Sequence, residues 1–328
     1  MIHQRIKAAK HWMRRQANRI ANCIEAPRLI LTWHRVCHDG FPDPDRLSVE
    51  PGRFAEQLAV LRRFMPVIPL AEVMTSRGLA AAITFDDGYA DNLHHAAPAL
   101  ATAGLPATVF VTAGAIGSRR EFWWDELAEL LLGDDRLPPV FPEPGGAWST
   151  GSPQGRRELF DHLASRCLAL PPDEIAAQLA AVGTWAERTP IGRARRLPLD
   201  ADGLRALARM PGITIGAHTV THASLARLPP DLRNTELTSG KRLLEDLIGT
   251  PVDLLAYPYG TRDDVDPATI AAARRCGYRL AVTTDPGQVH RWSNPLRLRR
   301  HTVRDWTPDE FARRLRHFLV DADHGEDA

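Results

Sequence analysis

Residues 84–92, TFDDGYADN, set two carboxylates side by side directly after a short apolar run, Ala80 to Phe85. A buried strand has no structural need to finish on two acids unless something there binds or neutralises them. Strand alternation points Asp86 and Asp87 in opposite directions, so one site can give them different tasks, and Gly88 lets the chain turn tightly beside them. Far downstream, IGAHTVTHASL places His218 and His222 four residues apart, on one side of a helical turn or converging from a loop. Two imidazoles and one carboxylate suit a zinc-like ion that keeps a coordination position open. Such an ion lowers the pKa of its bound water to about 7, and a second carboxylate nearby could act as general base. Each half also has a purely structural reading. An HxxxH pair is commonly a surface or satisfied pair, and Asp-Asp after a strand can be a turn device. A phosphatase with an aspartyl nucleophile would need acids two apart, which this motif lacks.

The elements that must carry these groups follow from periodicity. Short apolar runs at 29–36, 80–85, 107–112, 213–217, 252–257 and 279–284 read as strands, and helical spacing appears over 52–64, 91–103, 231–248, 265–275 and 307–319. Thr307-Pro308-Asp309-Glu310 is a helix start: a capping threonine, a first-turn proline and acids at the positive end. Strand–helix alternation predicts a mainly parallel sheet, open or closed into a barrel, and both place their sites at the carboxyl ends of the strands. Asp86-Asp87, His218 and the Pro258-Tyr259-Gly260 turn all fall at such ends. Residues 118–200 break the rhythm and read as a mainly helical insertion in which nothing alternates like a strand. It is expected to pack over or beside the barrel, as a lid or substrate platform.

Composition sets outer limits. A chain of 328 residues with 44% hydrophobic and 25% charged residues is an ordinary globular protein, and a formal charge of +1 gives no sign of a nucleic-acid partner. Four scattered cysteines, without CxxC spacing, read as reduced thiols and favour a cytoplasmic setting. No run reaches the ~20 apolar residues of a membrane-spanning helix, and no secretory leader is evident. Residues 1–28 carry Arg5, Lys7, Lys10, Arg14, Arg15, Arg19 and Arg28 against Glu25 alone, and Ile6, Trp12, Met13 and Ile20 would form a weak apolar stripe. A basic helix lying peripherally on the inner membrane surface fits this segment, as does a solvated or frayed terminus. An acidic, disordered tail is expected over 320–328.

At the acidic pair, the histidines and the LLAYPYG segment, the sequence resembles the polysaccharide deacetylase family, which shares the NodB homology domain (carbohydrate esterase family 4). The resemblance spans about residues 29–319, with 118–200 inserted. It implies a distorted (β/α) barrel holding one divalent metal, zinc or else cobalt, nickel or manganese. It further implies Asp86 as general base, Asp87, His218 and His222 as metal ligands, and the Tyr259 backbone N–H as an oxyanion donor. The substrate implied is an N-acetylated sugar, hydrolysed to amine and acetate. Oligomeric state is left open.

Two departures from the family pattern matter. Its third motif carries an arginine two residues before the proline, where this chain has Ala256; Arg299 or Arg300 could supply that cation. The family's late Leu-x-His, source of the general acid, is also missing, since 298–301 reads LRRH and leaves His301 as an uncertain substitute. LILTWHRV offers His34 at the end of the first strand, similar to the YHxV segment of a branch that includes biofilm poly-N-acetylglucosamine deacetylases, and His34 is preferred as the acid. A core histidine is the alternative. Asp285, in TTDPG, is either a turn residue or an acid tuning the catalytic histidine. Trp123 and Trp124 either stack on a sugar ring or sit buried in their helix. The reading is an N-deacetylase acting on a surface glycan or on its nucleotide- or lipid-linked precursor. Its rivals are a hydrolase of small non-peptide C–N bonds and a catalytically silent glycan binder.

Overall fold

The computed structural model describes residues 16–38, 40–133, 136–144, 146–189 and 192–320 of the 328. A helix over 16–24 (α1) leads into β1 (Arg28–Trp33), the short pair β2 (Arg35–Val36) and β3 (Ser48–Val49), and α2 (Pro51–Phe64). Then come β4 (Ala80–Phe85), α3 (Ala97–Ala103) and β5 (Ala107–Val111). The inserted stretch carries α4 (Trp123–Leu132), β6 (Val140–Glu143), β7 (Gly146–Ser149), α5 (Pro153–Cys167) and α6 (Pro172–Trp185). The chain continues through α7 (Ala201–Ala208), β8 (Ile213–Ala217), α8 (Pro230–Ile248) and β9 (Leu254–Ala256). It ends with α9 (Pro267–Arg275), β10 (Leu280–Val282), β11 (His301–Thr302) and α10 (Pro308–Phe318).

Seven strands form one parallel sheet in the order β10-β9-β8-β5-β4-β1-β11. Because helices cover it, its strands are apolar on both faces, which is why Ala80–Phe85 reads as a continuous apolar run. Alternation sorts the side chains into two cores. Leu29, Leu31 and Trp33 join Ile83, Phe85, Val109 and Val111 in the layer beneath the helices, where Trp33 packs edge-on to Phe54 and Phe311. Ile30, Ala82, Phe110, Leu254, Ala256 and Val282 fill the inside of the curled sheet. Residues 295–302 join its two edges: Leu298 bridges Val282 beside β10, and His301 pairs with Leu31 of β1. The sheet is thus the distorted (β/α) barrel expected, closed by a short segment without strand-like periodicity.

The helix start at 307 forms as predicted, with the Thr307 hydroxyl accepting from Glu310 N–H. The insertion departs from expectation in one respect. β6 and β7 form an antiparallel hairpin, so the segment is not free of strand. Two strands of four residues, with Pro142 in one and Gly146 opening the other, are too short to show alternation. The hairpin residue Phe141 packs with Leu127, Leu131, Leu159 and Leu163 into a small separate core. Residues 1–15 and 321–328, including most of the basic N-terminal segment and the acidic tail, lie outside the described residues.

α8 matters beyond packing. Gly240 lies against the HTVTH loop, and a Cβ there would come 2.9 Å from the carbonyl carbon of Thr219. Alanine in a helix interior normally stabilises by about 1 kcal/mol over glycine. Gly240→Ala is expected to do the reverse, lowering stability by ~1–3 kcal/mol through overpacking against backbone. Thermal unfolding checks this, and a raised Tm would contradict the close approach.

Candidate active site

The chemical groups singled out above gather at the carboxyl end of the barrel, except Asp285, Arg299 and His301, which face elsewhere. A cavity of about 270 Å³ is lined by His34, Asp86, Asp87, His218, His222 and Tyr259, with Trp123 and Trp124 from the insertion among its walls. Four of the six non-glycine residues with positive φ among the described residues are Asp87 (71°), Thr219 (64°), His222 (60°) and Tyr259 (58°). Left-handed backbone costs of order 1–3 kcal/mol per residue and persists only where the surroundings enforce it.

The enforcing contacts are visible. At the DDG turn, Gly88 N–H donates to the Asp86 carbonyl, and a Cβ on Gly88 would lie 2.9 Å from Val111 Cγ1, so only glycine fits. The histidine loop is not helical. Glu236 of α8 holds it, accepting from Val220 N–H (2.8 Å), Thr221 N–H (2.9 Å) and the Thr221 hydroxyl (2.8 Å). The Tyr259 turn is fastened by the Thr284 hydroxyl, which donates to the Tyr259 carbonyl at 2.6 Å. Around His34, Asn92 donates to the His34 carbonyl, and Asp91 accepts from Val36 N–H and pairs with Arg35. A π-helical turn over Asn92–Ala96 opens the start of α3, and these two anchors stand at its head.

Asp87, His218 and His222 form the one candidate metal cluster among the described residues, their ligand atoms all within 4.8 Å of one another. Asp87 Oδ1 lies 3.4 Å from His218 Nε2 and 3.3 Å from His222 Nε2. His218 Nδ1 is 2.7 Å from the Ala256 carbonyl, which holds a proton there and makes Nε2 the nitrogen that faces Asp87 and would bind an ion. All three side chains are buried. Burial raises the Asp87 carboxyl, but hydrogen bonds from both histidines outweigh it and hold it well below the ordinary range. Burial lowers His218, yet the bond to Asp87 and the nearby carboxylates leave it raised; at His222 burial prevails and the imidazole is lowered. Three convergent donors from hard and borderline ligands fit a divalent ion such as zinc.

Asp86 follows Ala82 and Thr84 in the inward row of β4 and meets Arg300 head on. The guanidinium donates from Nη1 to Oδ1 at 2.7 Å and from Nη2 to Oδ2 at 2.6 Å. Arg300 also reaches the Thr32 and Thr84 hydroxyls and the Thr283 carbonyl, so one side chain spans β1, β4 and the residue that follows β10. Of the two arginines considered in place of Ala256, Arg300 makes this contact, while Arg299 reaches toward the Pro286 carbonyl. Burial pushes Asp86 up, but the Arg300 charge and its two bonds bring it below the usual carboxylate value.

His34 lines the cavity, lowered by burial against the upward pull of Asp87 and Asp86. His301 does not. One residue on from Arg300, it faces the opposite side of the closing segment and stacks on Phe318 at 3.9 Å, which removes it as a candidate acid. Asp285 is likewise outside. Thr284 faces the cavity, and alternation turns Asp285 away toward Arg262 (3.6 Å) and Arg297 (3.4 Å), so it cannot tune His34. Trp124 sits 4.8 Å from His222, stacked on Phe122, and donates to the Tyr89 hydroxyl, which donates to Asp125. Burial raises Asp125 to about 6 despite Arg35 and Arg196 beside it. Trp123 hydrogen-bonds Tyr259. Both indoles therefore wall the cavity while packing in the insertion. Tyr89, Glu236 and Asp91 carried no sequence signal, because each acts across a fold contact; Asp125 is marked in the sequence only as the neighbour of the Trp pair.

The Arg300 pair is testable by stability. In chelator-treated protein, Arg300→Met is expected to lose ~3–5 kcal/mol at pH 7, leaving a buried carboxylate unpaired. Asp86 is depressed in the native state, so its contribution is present above the unfolded carboxyl value and fades as pH falls through the folded one. The gap between wild type and variant should therefore narrow in acid, as urea denaturation across pH would show. A gap independent of pH would contradict the pairing.

A family model described as polysaccharide deacetylase matches residues 75–133 and 169–281, passing over 134–168 within the insertion. YxkH of Bacillus subtilis (strain 168) is 22% identical over 209 residues, 64% of this chain and 46% of YxkH, so the chain spans about half of that relative's length. Among solved structures, the Streptococcus pyogenes deacetylase PplD in complex with acetate has a TM-score of 0.57 at 18% identity, covering 88% of this chain and 98% of PplD. IcaB from Ammonifex degensii has a TM-score of 0.56 at 18% identity, covering 90% and 97%. These structures share the fold. With its model matched over more than half of the sequence, across both the acidic pair and the histidine loop, this chain belongs to the polysaccharide deacetylase family.

Proposed function

We propose that this protein is a metal-dependent hydrolase that removes the N-acetyl group from a sugar of a surface glycan, or of its nucleotide- or lipid-linked precursor. The observation that carries the reading is the convergence of a three-donor metal cluster, an arginine-held carboxylate and a histidine on one aromatic-walled cavity. Asp87, His218 and His222 would hold the ion, zinc by donor type, with cobalt, nickel or manganese also compatible. When bound, it supplies Lewis acidity that makes water a better nucleophile and the amide carbonyl a better electrophile.

Asp86 accepts the proton of the attacking water. Arg300 keeps it ionised and aimed, at the cost of intrinsic basicity. The Tyr259 backbone N–H, turned by its positive φ, stabilises the oxygen on which charge develops. His34 delivers a proton to the nitrogen as the C–N bond breaks, and the proton that Asp86 took from the water makes up the balance, so that acetate and a free amine leave. Burial lowers its pKa, which favours release of a proton to the nitrogen. Trp123 and Trp124 offer apolar faces for a pyranose ring. PplD, a deacetylase solved in complex with acetate, shares this scaffold, which supports the reading. Four free cysteines support a cytoplasmic setting, and no helix among the described residues is long and apolar enough to cross a membrane.

Acetate release from UDP- and lipid-linked N-acetyl sugars tests the proposal, with metal-loaded wild type run beside Asp86→Asn and His34→Asn. Each variant is expected to lose ~10²–10⁴ in kcat while binding the metal as wild type does. No release by a metal-loaded wild type, or full activity in Asp86→Asn, would defeat it.

A further inference from the structure

On the outer wall of the barrel lies a second cavity of about 520 Å³, between α1 and the segment that follows β10. Ala17, Asn18 and Ala21 line one side, and Arg262, Arg297 and Arg299 the other. Asp285 is the single carboxylate among the lining residues, and its contacts to Arg262 and Arg297, at 3.6 and 3.4 Å, are too long for strong charge-assisted bonds. Among the described lining residues, Arg262 and Arg297 share the single carboxylate of Asp285, which leaves that cluster with an excess of positive charge.

The helix beside it is mounted with its polar side inward. Asn22 donates to the Leu319 carbonyl at 2.6 Å and is hydrogen-bonded to His290 at 3.0 Å, and Glu25 accepts from Arg291 N–H at 2.9 Å. At about 100° per residue, Ile20 and Ile24 then fall next to Ala17 and Ala21, on the lip of the cavity. They are 63% and 68% exposed. Trp292, 51% exposed and stacked on His290, stands on the cavity wall. A surface helix ordinarily turns its apolar residues to the core; this one presents them outward around a basic cavity. The sequence before it, residues 1–15, adds Arg5, Lys7, Lys10, Arg14 and Arg15 without an acid.

We propose that this face docks on an anionic phospholipid membrane, with a headgroup phosphate between Arg262 and Arg297 and with Ile20, Ile24 and Trp292 entering the interface. The charge is complementary to an anionic leaflet, and exposed isoleucines flanking the cavity suit a lipid surface where a soluble anion has no use for them. The docking does not depend on the chemistry at Asp86, so it stands or falls separately from the deacetylase reading.

The test is co-sedimentation of the full chain with phosphatidylglycerol–phosphatidylcholine vesicles and with pure phosphatidylcholine vesicles. Binding is expected on the anionic vesicles only and should weaken with salt. Ile20→Asp/Ile24→Asp should abolish it, and Arg262→Gln/Arg297→Gln should weaken it about fivefold per arginine. An unchanged Tm and unchanged acetate release from a soluble substrate would show both variants folded. If the isoleucine variant does not fold, the arginine variant alone decides. The proposal is overturned by absence of binding to anionic vesicles, by equal binding to neutral ones, or by wild-type binding in a folded variant. Binding of inorganic phosphate or pyrophosphate without vesicle binding would also overturn it, making the cavity a small-anion site.

Discussion

The site depends first on a buried ion pair at the seam of the barrel. Arg300 arrives on the short segment that joins the two sheet edges, and its guanidinium bonds Asp86 with both nitrogens while touching β1, β4 and the residue that follows β10. Burying two charges carries a desolvation cost that the pair repays only with good geometry, so its worth lies less in net stability than in fixing position. Closing the barrel and orienting the Asp86 carboxylate are here one structural event. Ala256, small and packed among the interior residues, occupies the strand position where the family pattern has an arginine, and the cation comes instead from the other side of the barrel mouth.

Around that fixed point the active-site backbone is held in unfavourable conformations. Asp87, Thr219, His222 and Tyr259 sit in the left-handed region, and each turn is tied to a regular element: the histidine loop to Glu236 and Gly240 of α8, the Tyr259 turn to Thr284 after β10. A rigid helix and a parallel sheet thus lend their order to loops that would not adopt these angles alone. The consequence is a donor set preorganised for an ion, with His218 locked in one tautomer by the Ala256 carbonyl.

The insertion contributes the remaining wall. It has its own small core, yet its return path is laced to the acidic turn, with Leu199 N–H donating to the Gly88 carbonyl and Ala90 N–H to the Leu197 carbonyl. The Trp124–Tyr89–Asp125 chain then holds an indole against His222. Insertion and acidic turn are coupled through polar bonds in a buried setting, where each bond counts for more than it would in water.

The strands of the sheet, the acidic pair and the histidine spacing were legible in the sequence because each depends on local pattern: apolar runs, a glycine-assisted turn, two imidazoles a fixed distance apart. Strand–helix alternation and strand ends even placed them at one end of one barrel. What the sequence left open was every choice made between distant segments. His34 rather than His301 reaches the cavity, and Arg300 rather than Arg299 reaches Asp86, because neighbouring residues on an extended segment point to opposite sides and only the closed barrel sets which side is inside. For the same reason Asp285 faces outward arginines, and Glu236, Tyr89 and Asp125 gain their parts only when α8 and the insertion come to rest against the loops. Chemistry-bearing residue types were written in the chain; which of them share a site was decided by register and closure, which act between segments hundreds of residues apart.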